Sequence, residues 1–284
     1  MAAVLRPPAE VHEYLRGVAG DFGIHERIEF ETRLDSAAWD DAAQVWRVEL
    51  SHADGTRGTH AFPVLISAVG LFNQPSTPTV PGLDTFPGPV VHTAEWDPDV
   101  DLRGKRVAVI GTGASAMQLV PAIAGTAAEV VVYQRSPQWI VPNPNTRRPV
   151  EQAKQFLMAE FPGYLGWYRL RQAWNFGDRL HPMLRIDRDW PEQERSINAD
   201  NERHRIFLTR YITDQLDGRP DLVQACLPAY PPYGKRPLLD HGWYRTLLRD
   251  DVTLVAEAVT RIEVPPSSAR PVTAVRWTSW CSPP

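Results

Sequence analysis

The feature that most restricts the fold is one short loop, Gly111-Thr-Gly-Ala-Ser-Ala116, set between an aliphatic run from Val107 to Ile110 and a helical stretch that reaches Ala124. A second aliphatic run, Val130 to Tyr133, follows it. Strand, glycine-bearing turn, helix and strand in that order make a βαβ unit, and such a unit requires a parallel sheet covered by helices. In a GxGxxA loop the first glycine makes the tight turn and the second lets the backbone approach a pyrophosphate. The third position, here Ala116, has only to be small enough for the helix to pack on the strand. The helix amino terminus then offers N–H donors and a positive dipole end to an anion. Gly111 and Gly113 are the key positions of this expected dinucleotide site.

The end of the second strand chooses the coenzyme. Sites for the unphosphorylated coenzyme place a carboxylate there for the ribose 2′-hydroxyl, whereas 2′-phosphate sites place a cation nearby. Here the strand ends Tyr133-Gln134-Arg135-Ser136. Without a carboxylate, the Arg135 guanidinium is positioned to meet a dianionic phosphate with its fork of donors, and Ser136 can add a hydroxyl. NADP(H) is the expected cofactor. A solvated arginine at a strand end has the same sequence appearance.

Around this unit the chain is uneven. Ala9 to Phe22 has Val11, Tyr14, Leu15 and Val18 at helical spacing. Ile28–Phe30, Arg33–Trp39, Trp46–Leu50 and Thr59–Ala68 read as short strands, with Asp54-Gly55 as a hairpin turn and a buried strand at Val64–Val69. Gln74 to Pro98 is too broken by proline and glycine to predict a regular element. Residues from Pro149 to about Leu216 are helical in pattern, Leu254 and Val255 mark a late strand, and the stretch from about Pro265 has neither periodicity nor cap, so it is expected to be poorly ordered.

Composition removes several classes of function. The chain of 284 residues is long enough for two domains, and 30 basic against 34 acidic side chains give a net charge of −4. No general electrostatic argument remains for nucleic acid or an anionic membrane surface. Cys226 and Cys281 lie far apart without a ligand-spaced partner, so neither a disulfide framework nor a metal site is expected. With early charges and no run of eighteen apolar residues, a cytoplasmic protein acting on a small molecule is the expectation.

Just before the nucleotide strand stands Phe86-Pro-Gly-Pro-Val-Val-His92-Thr-Ala-Glu-Trp96-Asp97. By itself it is a tight loop with two aromatic anchors and a histidine, which simple packing also explains. As F-x-G-x-x-x-H-x-x-x-W-D it resembles the fingerprint of the Baeyer-Villiger monooxygenases, flavoproteins that insert oxygen beside a ketone carbonyl. Phe86, Gly88, His92, Trp96 and Asp97 match it position by position. Related flavin-containing monooxygenases and N-hydroxylases usually lack the Trp followed by Pro or Asp.

The resemblance runs from about Pro8 to Ile262. Ser67-Ala-Val-Gly70 looks like the crossing between FAD and NADPH domains. Gly111, Thr112, Gly113, Ala114, Ser115, Ala116 and Gln118 look like the NADPH loop, and Tyr133 to Trp139 like the 2′-phosphate segment. Leu71-Phe-Asn-Gln-Pro75, Tyr211-Ile-Thr-Asp214 and Tyr230-Pro-Pro-Tyr-Gly-Lys-Arg-Pro237 are most similar to the 4-hydroxyacetophenone monooxygenase branch, which acts on aryl ketones.

What the resemblance implies is an α/β architecture. A partial FAD-domain remnant with a small β-meander (1–103) precedes a Rossmann-like NADP-binding domain (104–264) with a helical insertion at about 149–216, and then a disordered or aberrant tail (265–284). It also implies that Lys235 binds the 2′-phosphate. Arg236, always protonated, would lie over the flavin and stabilise a peroxide anion, although a solvated loop tip would also accommodate two adjacent cations. NADPH, FAD and dioxygen would then convert a ketone to an ester through a C4a-peroxyflavin. The family's FAD-binding βαβ loop has no counterpart in this chain, so the chain is expected to be a segment of such an enzyme, active only with an FAD-binding half that another polypeptide, or a part of the same protein outside this sequence, supplies. Two alternatives stay open: a catalytically inactive NADP-binding remnant, and an enzyme oxidising nitrogen or sulfur.

Overall fold

The computed structural model describes residues 8–70, 75–76, 79–144, 148–263 and 272–276. They fall into two compact units, one within 5–73 and one within 74–284.

The first unit opens with α1 (Pro8–Asp21). Gly23, at φ 61°, closes it as only a glycine does without strain, and its N–H donates to the Gly20 carbonyl at 3.0 Å. Strands β1 (Thr32–Asp40), β2 (Val45–His52) and β3 (Arg57–Phe62) form an antiparallel meander in that order. Between β2 and β3, the Asp54 carboxylate accepts the Thr56 N–H at 2.9 Å and fixes the turn. Trp39 faces Trp46 across β1 and β2 with ring centroids 5.6 Å apart.

Two expected strands do not form here. Ile28–Phe30 is a loop after the short 3-10 turn His25–Arg27. The ladder of β3 stops at Phe62 because Pro63 has no N–H to donate. Val64–Val69 is not a buried strand: none of the described residues pairs with it, and Ile66 is 81% exposed. An apolar run becomes a strand only where a neighbouring ladder takes its N–H and C=O groups.

The second unit contains, in chain order, β4 (Val90–His92), β5 (Arg106–Ile110), α2 (Ala114–Ile123), β6 (Glu129–Tyr133), β7 (Ile140–Val141), α3 (Gln152–Glu160), α4 (Tyr164–Phe176), α5 (His181–Leu184), α6 (Ala199–Gln215), α7 (Pro220–Cys226), β8 (Leu238–Leu239), α8 (Trp243–Leu247), β9 (Val252–Val255) and β10 (Val272–Arg276). Five strands make one parallel sheet in the order β4-β10-β5-β6-β9. This is the Rossmann-like α/β arrangement that the glycine loop requires. Along β5 and β6, Val107, Val109, Val130 and Val132 are buried against Ala116, Met117 and Val120 of α2 in a core that also takes in Leu208 and Ile212 of α6 and Trp243 and Tyr244 of α8. Each buried aliphatic side chain contributes roughly 1.5–3 kcal/mol, so this shared core anchors the turn after β5 and the end of β6.

Two segments correct the expectation of irregular chain. β4 lies inside the proline-rich connector. β10 lies inside the tail expected to lack structure, where Ala274 stands opposite both Val90 and Ala108. Both are short strands whose partners are distant in sequence, and the prolines and serines around them hide the Val-Thr-Ala-Val run. The remainder of the tail, and residues 71–74 of the Leu71–Pro75 phrase, lie outside the described residues. Among the described residues, no helix is long and apolar enough to cross a membrane.

Candidate functional site

Gly111 has φ 106°, a conformation that strains any side chain, and its N–H donates to the Tyr133 carbonyl at 2.9 Å. The turn after β5 is thereby tied to the end of β6. Gly113 is the N-cap of α2, with no capping side chain and no acidic residue in the first turn. The first-turn N–H groups are therefore left for an incoming acceptor. Ala116 is buried under the helix, while Ala114 and Gln118 are exposed and Ser115 is half-buried. The Gln118 amide donates back to the Ala114 carbonyl at 3.2 Å. Thr112 is buried, and its hydroxyl donates to the Ser136 carbonyl at 3.4 Å, linking the loop to the segment after β6.

At the end of β6, Gln134 turns inward and Arg135 outward. The buried Gln134 amide donates to the Ala225 carbonyl at 2.7 Å. Arg135 is exposed and has no hydrogen bond or ion pair among the described residues. Ser136 Oγ accepts a hydrogen bond from Lys235 Nζ at 2.9 Å, joining residues 99 positions apart. The same ammonium lies 4.8 Å from the centroid of the Tyr230 ring. Tyr230 is itself seated on the segment after β6: its hydroxyl donates to the Pro137 carbonyl at 3.2 Å, and the Trp139 indole N–H donates to the Tyr230 carbonyl at 2.9 Å. β7 and β8 then pair in parallel, Ile140 with Leu238. Arg236 is exposed beside Lys235, and no ion pair among the described residues involves Arg135, Lys235 or Arg236. Adjacent cations without a carboxylate, as at Lys235 and Arg236, repel one another until an anion arrives.

The loop that presents Lys235 rests on one face of α6. The fully buried Asn201 donates to the Pro232 carbonyl at 3.0 Å. The Arg205 guanidinium donates to the Pro228 and Tyr230 carbonyls, both at 3.2 Å, and lies 5.1 Å from the Trp139 ring centroid. Tyr211 donates to the Asp240 carboxylate at 2.6 Å, and burial together with that carboxylate keeps its phenol protonated. Sequence reasoning missed Asn201 and Arg205, and met Tyr211 only in a phrase of resemblance, without this contact. The available signal was polar side chains at 201, 205 and 211 sharing the helical stripe of Leu208 and Ile212.

The fingerprint surrounds β4. His92 Nδ1 accepts the Ala94 N–H at 3.1 Å, so in the neutral ring Nε2 carries the proton, and Nε2 is buried with no partner among the described residues. Phe86 and Gly88 are half-buried in the turn before β4. Trp96 is 39% exposed, and the Asp97 carboxylate accepts the Asp99 N–H at 2.9 Å. Among the described residues, no hydrogen bond or ring contact joins Phe86, Gly88, His92, Trp96 or Asp97 to the glycine loop or to Lys235 and Arg236.

The family model of flavin-binding monooxygenase-like proteins matches residues 6–149. An uncharacterized monooxygenase of Sinorhizobium fredii is 48% identical over 254 residues, which is 89% of this chain and 38% of that protein. A Baeyer-Villiger monooxygenase of Streptomyces coelicolor is 32% identical over 252 residues, 89% of this chain and 45% of its own length. Among solved structures, polycyclic ketone monooxygenase from Thermothelomyces thermophila shares the fold at a TM-score of 0.76 and 24% identity, over 94% of this chain and 50% of that one. Cyclohexanone monooxygenase from Rhodococcus sp. Phi1 bound to NADP+ is 27% identical with a TM-score of 0.68, over 93% of this chain and 54% of that one. The chain thus spans about half the length of the relatives it matches. With a βαβ nucleotide fold, the F-x-G-x-x-x-H-x-x-x-W-D segment and these alignments together, the chain belongs to the flavin-binding monooxygenase-like family, and the relatives it matches include Baeyer-Villiger monooxygenases.

Proposed function

We propose that this chain holds NADPH and supplies the reaction-centre arginine of an FAD-dependent monooxygenase that inserts one oxygen atom beside a ketone carbonyl. The observation that carries the reading is the Lys235–Ser136 hydrogen bond of 2.9 Å beside the unpaired Arg135. It gathers an ammonium and a hydroxyl at the strand end that carries the guanidinium, with no carboxylate bonded to any of them, and this donor set suits a ribose 2′-phosphate. The uncapped start of α2 and the φ of Gly111 suit a pyrophosphate. Gly111, Thr112, Gly113, Ala114, Ser115, Ala116 and Gln118 hold the coenzyme backbone in this reading, and Arg135, Ser136 and Lys235 hold its 2′-phosphate.

FAD, when bound, supplies the oxygen-activating chemistry. The chain's own part is positional and electrostatic. Arg236 stays charged at any working pH, so it stabilises negative charge on reacting oxygen and polarises the ketone without acting as an acid. A polypeptide carrying FAD completes the site. The resemblance to the 4-hydroxyacetophenone branch makes an aryl ketone the first substrate to test, and the cytoplasm is the compartment proposed.

The reaction balances as ketone, NADPH, a proton and O2 giving ester, NADP+ and water. The test incubates the protein together with an FAD-loaded polypeptide that supplies the FAD-binding half, NADPH and an aryl methyl ketone, and separately with a thioether and an amine. Ester formation matched by equal coenzyme and oxygen consumption is the expected outcome. Sulfoxide or N-oxide without ester would contradict the reading, as would coenzyme binding with no turnover of any class.

A further inference from the structure

Tyr233 lies between the segment held by α6 and the Lys235-Arg236 pair, and its backbone has φ 68°. Glu31 and Gln44, the other non-glycine residues with positive φ among those described, are exposed polar residues of the small meander. A bulky aromatic residue in the left-handed region is unfavourable, and such a conformation persists only when its surroundings over-determine it. The surroundings are specific. The Tyr233 hydroxyl lies 2.9 Å from His204 Nδ1. The two rings stack with centroids 5.3 Å apart and planes 15° from parallel, and Phe207 also stacks with His204 at 5.7 Å and 7°. Of the two acceptors within reach of the hydroxyl, the imidazole nitrogen is nearer and stronger than the Met183 sulfur at 4.0 Å.

We propose that His204 and Tyr233 are a positioning pair: ring stacking and the Tyr233 to His204 hydrogen bond fix the strained turn that delivers Lys235 to Ser136 and leaves Arg236 free. The inference rests on the reading that Lys235 meets the coenzyme 2′-phosphate. Both protonation states suit the bond. Burial holds the His204 imidazole below its usual range, so the ring is neutral at neutral pH and its Nε2–H tautomer leaves Nδ1 an acceptor, and burial pushes the Tyr233 phenol up to about 12, keeping it a donor. Only one residue separates the held hydroxyl from Lys235, so a change in the Tyr233 backbone is passed directly to the ammonium.

The test uses Tyr233→Phe, which removes only the hydroxyl, His204→Phe, which keeps the stack without the acceptor, and His204→Asn, which restores an acceptor near the Nδ1 position. Two readouts separate the claims. The first needs no coenzyme: trypsin cleaves after Lys235 but not between Arg236 and Pro237, so nicking of this loop in the folded protein is read at one bond by mass spectrometry. Loss of the hydrogen bond is expected to raise the nicking rate about fivefold in Tyr233→Phe and His204→Phe, with His204→Asn, which keeps an acceptor but loses the stack, between those two and the unsubstituted protein. The second is coenzyme affinity, where NADP+ is expected to weaken about fivefold in the same two variants and NAD+, which has no 2′-phosphate, not to change. Faster nicking in a protein that never prefers NADP+ supports the positioning pair and rejects the phosphate reading. Unchanged nicking in both Phe variants overturns the positioning pair, as does equal weakening of both coenzymes in a protein that prefers NADP+.

Discussion

Replacing Arg236 with alanine lowers ester formation by about 10²–10³-fold while NADPH binding stays within about twofold. The size follows from what one preorganised charge contributes where negative charge develops, roughly 3–4 kcal/mol of transition-state stabilisation. The selectivity follows from placement. Arg236 is exposed and has no partner among the described residues, so its removal leaves no buried group unsatisfied and changes folding stability by no more than about 0.5 kcal/mol. The Lys235–Ser136 contact does not involve it. Arg236→Lys keeps a charge but loses the planar fork, and falls between alanine and arginine. Single-turnover ester formation with coenzyme affinity measured in parallel checks this, and near-normal rates in Arg236→Ala would remove it from the chemistry.

Lys235→Ala has the opposite signature. Its ammonium is a donor to a charged acceptor, an interaction of roughly 1.5–3 kcal/mol, so NADP+ binding weakens by about 10–100-fold. Binding of NAD+ stays near its original value, and the loss shrinks at high salt because part of the attraction is screened. Ser136→Ala, which removes a neutral hydroxyl, costs less. The neighbours of Lys235 make the variant clean, since the hydroxyl it leaves behind is only half-buried and Tyr230 keeps its bond to Pro137. Fluorescence titration of both coenzymes checks it, and an equal loss for both would assign Lys235 a role in folding rather than in phosphate recognition.

The βαβ unit was readable because its signals are local: aliphatic runs at 107–110 and 130–133 flank a loop whose glycines have one main structural use. The strands β4 and β10 were not, because a strand of a parallel sheet is decided by partners far along the chain, and Val90 and Ala274 carry no local mark of each other. Val64–Val69 shows the reverse error, an apolar run with strand composition and no ladder among the described residues. For the site, Arg135 and Ser136 followed from the strand end, and Lys235 and Arg236 only from resemblance. Asn201, His204 and Arg205 drew no reading from the sequence, since nothing in a helical repeat reveals that the carbonyls of 228–232 and the hydroxyl of Tyr233 lie against it.

The central claim is that the end of β6, with Lys235 brought to it, recognises a phosphorylated adenosine ribose. Isothermal titration of the purified protein with NADP+ and then NAD+ under the same buffer and salt tests it most directly. The account predicts that NADP+ binds at least about tenfold more tightly, the least that one charge-assisted contact to the 2′-phosphate contributes. Equal, weak binding of the two coenzymes would contradict it.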